Sequence, residues 1–159
     1  MDEIELAKIC STHKHTSPLF VSVCAVDELL KLDIEKKPCF ILVNTDYSDQ
    51  TGSHWVLIFI HQEPKPPIWF DSLGKKPIEY NEIFESFLKQ NGGGSYFVNS
   101  KRYQDSSSVM CGKFCLYVSD LLSMGQNFST ILMSFNTEDL LDNDRLVSYY
   151  FNHHMMRDL

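Results

Sequence analysis

The sequence "DSSSVMCGKFC", residues 105–115, puts a cysteine directly before a glycine, with three serines on one side and an apolar pattern on the other. That pattern predicts a helix from Cys111 to about residue 124. A thiol on the first turn of a helix meets unpaired backbone N–H groups and the positive dipole end, which favour the thiolate. Gly112 leaves space for a substrate carbonyl to approach the backbone. His54 opens the run "HWVLIFI", immediately after Gly52 and Ser53. An imidazole at a strand start is within reach of a substrate. Asp71 follows the apolar "IWF", where a carboxylate can accept from the Nδ1–H of His54. Gln104 can donate its side-chain amide to an oxyanion, paired with the Cys111 backbone N–H. Nucleophile, base, orienting group and oxyanion donors are the parts of a thiol peptidase.

Each residue alone has an ordinary reading. Cys111 would be a buried thiol that starts a helix, and His54 a capping histidine. Asp71 before "SLG" would be a turn residue, and Gln104 a surface side chain. It is the joint order His–Asp–Gln–Cys, each at the edge of an element, that carries chemistry.

The elements that must position these groups can be read from periodicity and turn residues. Residues 2–10 and 25–32 have helical spacing. "CFILVNT", "HWVLIFI" and the short "IWFDSLG" read as strands. A helix follows over 80–91, with Asn81 as N-cap and Gly92, Gly93 and Gly94 as its stop. Residues 95–104 alternate like a strand that ends at Gln104. Two more helices are expected over 128–135 and 143–153, the last with Asp142 as N-cap. The expected fold is α+β, one domain over 1–159, with one sheet covered by helices.

Bulk properties narrow the function classes. The 159 residues carry a formal net charge of −7, which argues against a general nucleic-acid surface. No apolar run approaches a membrane span, and the acidic opening "MDE" is unlike a signal peptide. Five cysteines, an odd number, read as mostly free thiols in a soluble protein of a reducing compartment. Cys10, His13, His15 and Cys24 can be drawn as a zinc site, but their spacing fits no familiar finger, so no metal is expected.

"GSHWVLIFI…WFDSLG…YQDSSSVMCGKFC" resembles adenain, the adenovirus maturation protease, and its relatives in viruses and virus-like transposons. The wider group includes the SUMO-deconjugating proteases. The resemblance spans roughly residues 38–155. It implies Cys111 as nucleophile, His54 as general base, Asp71 as orienting group and Gln104 as oxyanion donor. It implies that Trp55 walls a narrow cleft, with Gly52, Ser53 and Gly112 along the substrate. The implied fold is a mixed central β-sheet flanked by helices, the papain-like-reversed cysteine protease fold of the adenain group.

The implied activity is cleavage of viral structural or precursor proteins at Gly-containing sites through a thioacyl-enzyme. The alternatives are a deubiquitinase or deSUMOylase-type isopeptidase, and an inactive binding module. The implied partners are capsid or core precursors, or ubiquitin-like proteins, met by a monomer in the virion and the cytoplasm or nucleus of an infected cell. Adenain is basic and stimulated by DNA, and takes a peptide cofactor through a disulfide. This acidic chain has no cysteine in "NGGGSYFVNSKRY", so neither a peptide nor a DNA activator is expected. The chain is also shorter than adenain, mostly after the Cys111 helix.

Overall fold

The two longest apolar runs pair with each other. β2 (Cys39–Asn44) and β3 (Trp55–Ile60) are antiparallel, from Cys39 opposite Ile60 to Asn44 opposite Trp55. The computed structural model describes residues 1–158; Leu159, the end of the expected domain, lies outside the described residues. β1 (Phe20–Ala25) lies parallel to β2, β4 (Ile68–Phe70) antiparallel to β3, and β5 (Phe97–Val98) parallel to β4. The sheet order is β1-β2-β3-β4-β5.

Side chains alternate across this sheet, and both faces are covered. Phe40, Leu42, Leu57 and Phe70 pack on one face. They meet Leu6 and Ile9 of α1 (Glu3–Thr12), Phe114 and Val118 of α4 (Cys111–Ser123), and Val147 of α6 (Leu140–Tyr150). Ile131 of α5 (Phe128–Met133) completes that layer. Ile41, Val43, Val56, Ile58 and Trp69 point the other way, onto Phe84, Phe87 and Leu88 of α3 (Glu82–Gln90). Burial on both faces is why β2 and β3 read as continuous apolar runs. A short α2 (Pro77–Tyr80) precedes α3, and Asn81 caps α3 by accepting from the Ile83 N–H, as expected.

Several expectations are corrected. β1 was not anticipated, because "FVSVCA" interrupts its apolar residues with Ser22. The helical spacing over 25–32 becomes a 3-10 helix at Val26–Lys31. The strand over 95–104 shrinks to Phe97–Val98, because the chain leaves β4 once Asn99 bonds the Asp71 backbone. The last helix begins at Leu140, so Asp142 lies in its first turn and is not its N-cap.

Candidate active site

Three element ends meet at one edge of the sheet. His54 directly precedes β3, Asp71 directly follows β4, and Cys111 is the first residue of α4. β3 and β4 pair with Leu57 opposite Phe70. One further step of that register sets Asp71 across from Val56, two residues from His54 on the same face. The 17-residue spacing is thus the length of a strand, a turn and a strand.

His54 Nε2 lies 2.6 Å from Asp71 Oδ1. The expected partner atom was Nδ1. The ring is turned the other way, which leaves Nδ1 free of Asp71, and His54 and the Cys111 thiol interact with each other. Asp71 is fully buried and takes three more hydrogen bonds. Leu73 N–H donates to Oδ1, and Lys75 N–H and the Tyr80 hydroxyl donate to Oδ2. The Tyr80 ring stacks on His54 with centroids 5.9 Å apart. Asn99 clamps the backbone of Asp71, accepting from its N–H and donating to its carbonyl.

Electrostatics follow from this geometry. Burial alone would lower the His54 pKa, but hydrogen bonds to Asp71 and Cys111 outweigh it and raise it to about 9. Burial alone would raise the Cys111 thiol, but the His54 hydrogen bond and the backbone at Trp55 and Gly112 bring it below its ordinary value. Asp71 also ends below its ordinary value, because His54 and Tyr80 outweigh its burial. The pair therefore favours thiolate and imidazolium. The other cysteines differ. Burial raises Cys10 and Cys24 to about 12 and holds Cys115 well above the usual thiol range.

Gln104 is buried beside this pair. Its Oε1 accepts from the Ser72 hydroxyl, and its Nε2 donates to the Ser108 carbonyl at 2.9 Å. An amide nitrogen has two hydrogens, so one is left over by these bonds, and Gln104 lines the same groove as Cys111. Ser72 fixes the segment as well, because its carbonyl accepts the N–H groups of Tyr103 and Gln104. Two of the three serines before Cys111 are tied down: Ser107 bonds Asp105, and Ser108 bonds Asp144.

His54, Trp55, Gln104, Cys111, Gly52, Ser53 and Gly112 all line one groove of about 920 Å³. Asp71 lies behind it, holding His54. Trp55 is 8% exposed, and its Nε1–H donates to the Met1 carbonyl at 3.2 Å. Gly112 is buried, and a Cβ there would meet Met1 and Leu6 side chains. Its small size therefore seats α4 against the start of α1, a role the sequence did not indicate. Gly52 has φ +83°, and a Cβ would sit 2.6 Å from Asn44 Nδ2.

Tyr80, Ser72, Asn99 and Met1 were not anticipated in this site. Nothing local marks them. They act through loops whose neighbours are set by the sheet.

No protein-family model matches the chain. Over 98 residues it is 35% identical to a candidate thiol protease of Acanthamoeba polyphaga mimivirus, covering 57% of this chain and 32% of that protein. The chain thus spans about a third of the length of the curated relative it matches. Among solved structures, ASFV pS273R protease is similar at a TM-score of 0.57 and 18% identity, covering 88% of this chain and 61% of that one. SUMO protease Ulp1 is similar at 0.52 and 14% identity, covering 94% of this chain and 76% of that one. Ulp1 in complex with Smt3, the yeast ortholog of SUMO, is similar at 0.51 and 14% identity, covering 94% and 75%. The chain has the mixed-sheet α+β fold shared by the ASFV protease and the SUMO protease Ulp1.

Proposed function

We propose that this chain is a cysteine peptidase that cleaves after glycine in the extended tails of ubiquitin-like proteins. The observation that carries the chemistry is the Cys111–His54–Asp71 relay at the wall of the groove. The Cys111 thiolate attacks the carbonyl carbon and forms the tetrahedral oxyanion. The Cys111 N–H and the Gln104 Nε2–H receive that charge. His54 gives its proton to the leaving amine, and the C–N bond breaks to leave a thioester. His54 then takes a proton from water as the water attacks the thioester, which releases the acid and the thiolate. Asp71 stays ionised and holds the ring.

The likeness to Ulp1, seen with Smt3, supports the substrate class, as does Trp55 walling the groove. A second reading keeps the chemistry and takes viral structural precursors as substrate. The mimivirus relative and the ASFV protease favour it.

The test is hydrolysis of folded ubiquitin and SUMO fusions beside short fluorogenic peptides ending in Gly-Gly or Gly-x. Turnover of the fusions well above the peptides, lost in Cys111→Ala, is the expected result. Peptide turnover without preference for the fusions would move the substrate to viral precursors. Activity that persists in Cys111→Ala overturns the catalytic reading.

A further inference from the structure

Asp120 lies nine residues beyond Cys111 on α4, roughly 13 Å along the helix axis. It belongs to no part of the groove. Its carboxylate is 1% exposed, yet it gathers polar groups from two distant segments. His13 Nε2 is 2.9 Å from Asp120 Oδ1, and His15 Nδ1 is 3.1 Å from the same oxygen. The Tyr150 hydroxyl of α6 donates to Oδ2. The ligand-capable atoms of His13, His15 and Asp120 all lie within 4.8 Å of one another.

We propose that His13, His15 and Asp120 form a binding site for a divalent cation of the zinc class. Two imidazoles and a carboxylate are a borderline donor set that suits zinc. Zinc bonds of about 2.0–2.1 Å in tetrahedral geometry put ligand atoms about 3.3 Å apart. The 2.9 and 3.1 Å pairs need open by only a few tenths of an ångström, and the His13 and His15 nitrogens, within 4.8 Å of each other, need close by no more than about 1.5 Å. Tyr150 holds the second carboxylate oxygen, the kind of outer support that orients a metal ligand. His13 and Asp120 are buried, whereas the His15 side chain is 34% exposed. The ion can enter on the His15 side, where water completes the coordination.

This set differs from the one the sequence offered. Cys24 packs on the opposite face of the sheet from Cys10, so those two cannot share an ion. The missing ligand is Asp120, 105 residues from His15. A bound ion would tie the segment after α1 to α4 and α6. The other end of α1 reaches the groove, where the Met1 carbonyl accepts from Trp55. The site would steady that wall without touching the reacting atoms.

The test uses the full chain carrying Cys111→Ser, which removes the Cys111–His54 pair as a competing metal trap. After dialysis against chelator, zinc is titrated by calorimetry and cobalt by visible absorption. The expected result is one ion per chain, a higher melting temperature with zinc, and cobalt bands of a four-coordinate site. His15→Ala in that background should lose all three while keeping its far-UV circular dichroism. His15→Gln, which keeps the side-chain bulk, replaces it should the alanine variant not fold. No binding by the parent, or binding unchanged in the His15 variants, overturns the site.

Discussion

His54 and Asp71 face each other at 2.6 Å, and the carboxylate that holds the imidazole is itself held by three other donors. A buried carboxylate with four hydrogen bonds cannot swing away. The ring it grips is therefore fixed relative to β3, and its other nitrogen is fixed relative to α4. The raised His54 pKa and the lowered Cys111 pKa both follow from this arrangement.

Asp71→Asn keeps the side-chain size but loses the charge and one of the two accepting oxygens, because its NH2 group can only donate. With less to stabilise it, the imidazolium gives up its proton more readily, and the thiolate loses its counter-ion. We expect kcat/KM to fall on the order of 10²-fold, the lower end of what a positioned acid–base group contributes. Iodoacetamide reports the thiolate directly. The pH midpoint of Cys111 alkylation should move upward in Asp71→Asn. An unmoved midpoint would sink the electrostatic role of Asp71.

His54 gives a stability signature as well as a kinetic one. Its folded pKa of about 9 lies above its ordinary 6.5, so the folded state binds this proton more tightly. That contribution is full below about 6.5 and is lost as pH rises through about 9. The melting temperature should therefore decline over that window, and the decline should flatten in His54→Gln. Activity should fall over the same alkaline limb, where the proton for the leaving amine is lost.

Gln104→Ala removes the proposed oxyanion donor and leaves the Ser72 hydroxyl and the Ser108 carbonyl without this partner. Turnover should fall roughly 10²-fold, with the loss in kcat and little change in KM. Gln104→Glu separates the two roles, because it keeps an acceptor for Ser72 and lacks the amide N–H. If the glutamate variant turns over like the parent, Gln104 does not serve the oxyanion.

The sequence revealed most of what lies at element ends. Cys111, His54 and Asp71 flank long apolar runs whose register and helical period are strong signals, so their approach to one another was readable. The choice of Nε2 over Nδ1 on His54 was not, because ring orientation depends on Tyr80 and on the loop behind Asp71. Gln104 was placed on a strand that is a loop, held by Ser72 through contacts no periodicity records. β1 escaped notice because its pairing with β2 is parallel, without a hairpin turn to announce it. Likewise, His13 and His15 fitted no familiar metal spacing, because Asp120 reaches them from the other side of the core.

Gly74 offers a test of how far the site depends on backbone placement. It has φ +75°, and a Cβ there would lie 2.8 Å from both the Arg102 nitrogen and the Lys101 carbonyl carbon. Those neighbours are backbone, so they cannot yield by changing a rotamer. Gly74→Ala must push the 101–102 segment away or unwind the turn in which the Gly74 N–H bonds the Asp71 carbonyl. The left-handed conformation itself costs a non-glycine residue about 1–2 kcal/mol. Two residues further along, Gln104 is fastened to Ser72, which adjoins Asp71. A shift of this segment therefore moves the oxyanion donor while Cys111 and His54 stay seated on α4 and β3. If the 101–102 segment yields, Gly74→Ala should lower both the melting temperature and kcat with the pH midpoint of Cys111 alkylation unchanged, whereas unwinding the turn would loosen the Leu73 and Lys75 N–H bonds to Asp71 and move that midpoint upward. A variant that melts earlier but keeps its full kcat would mean that Gln104 is positioned from Ser108 alone.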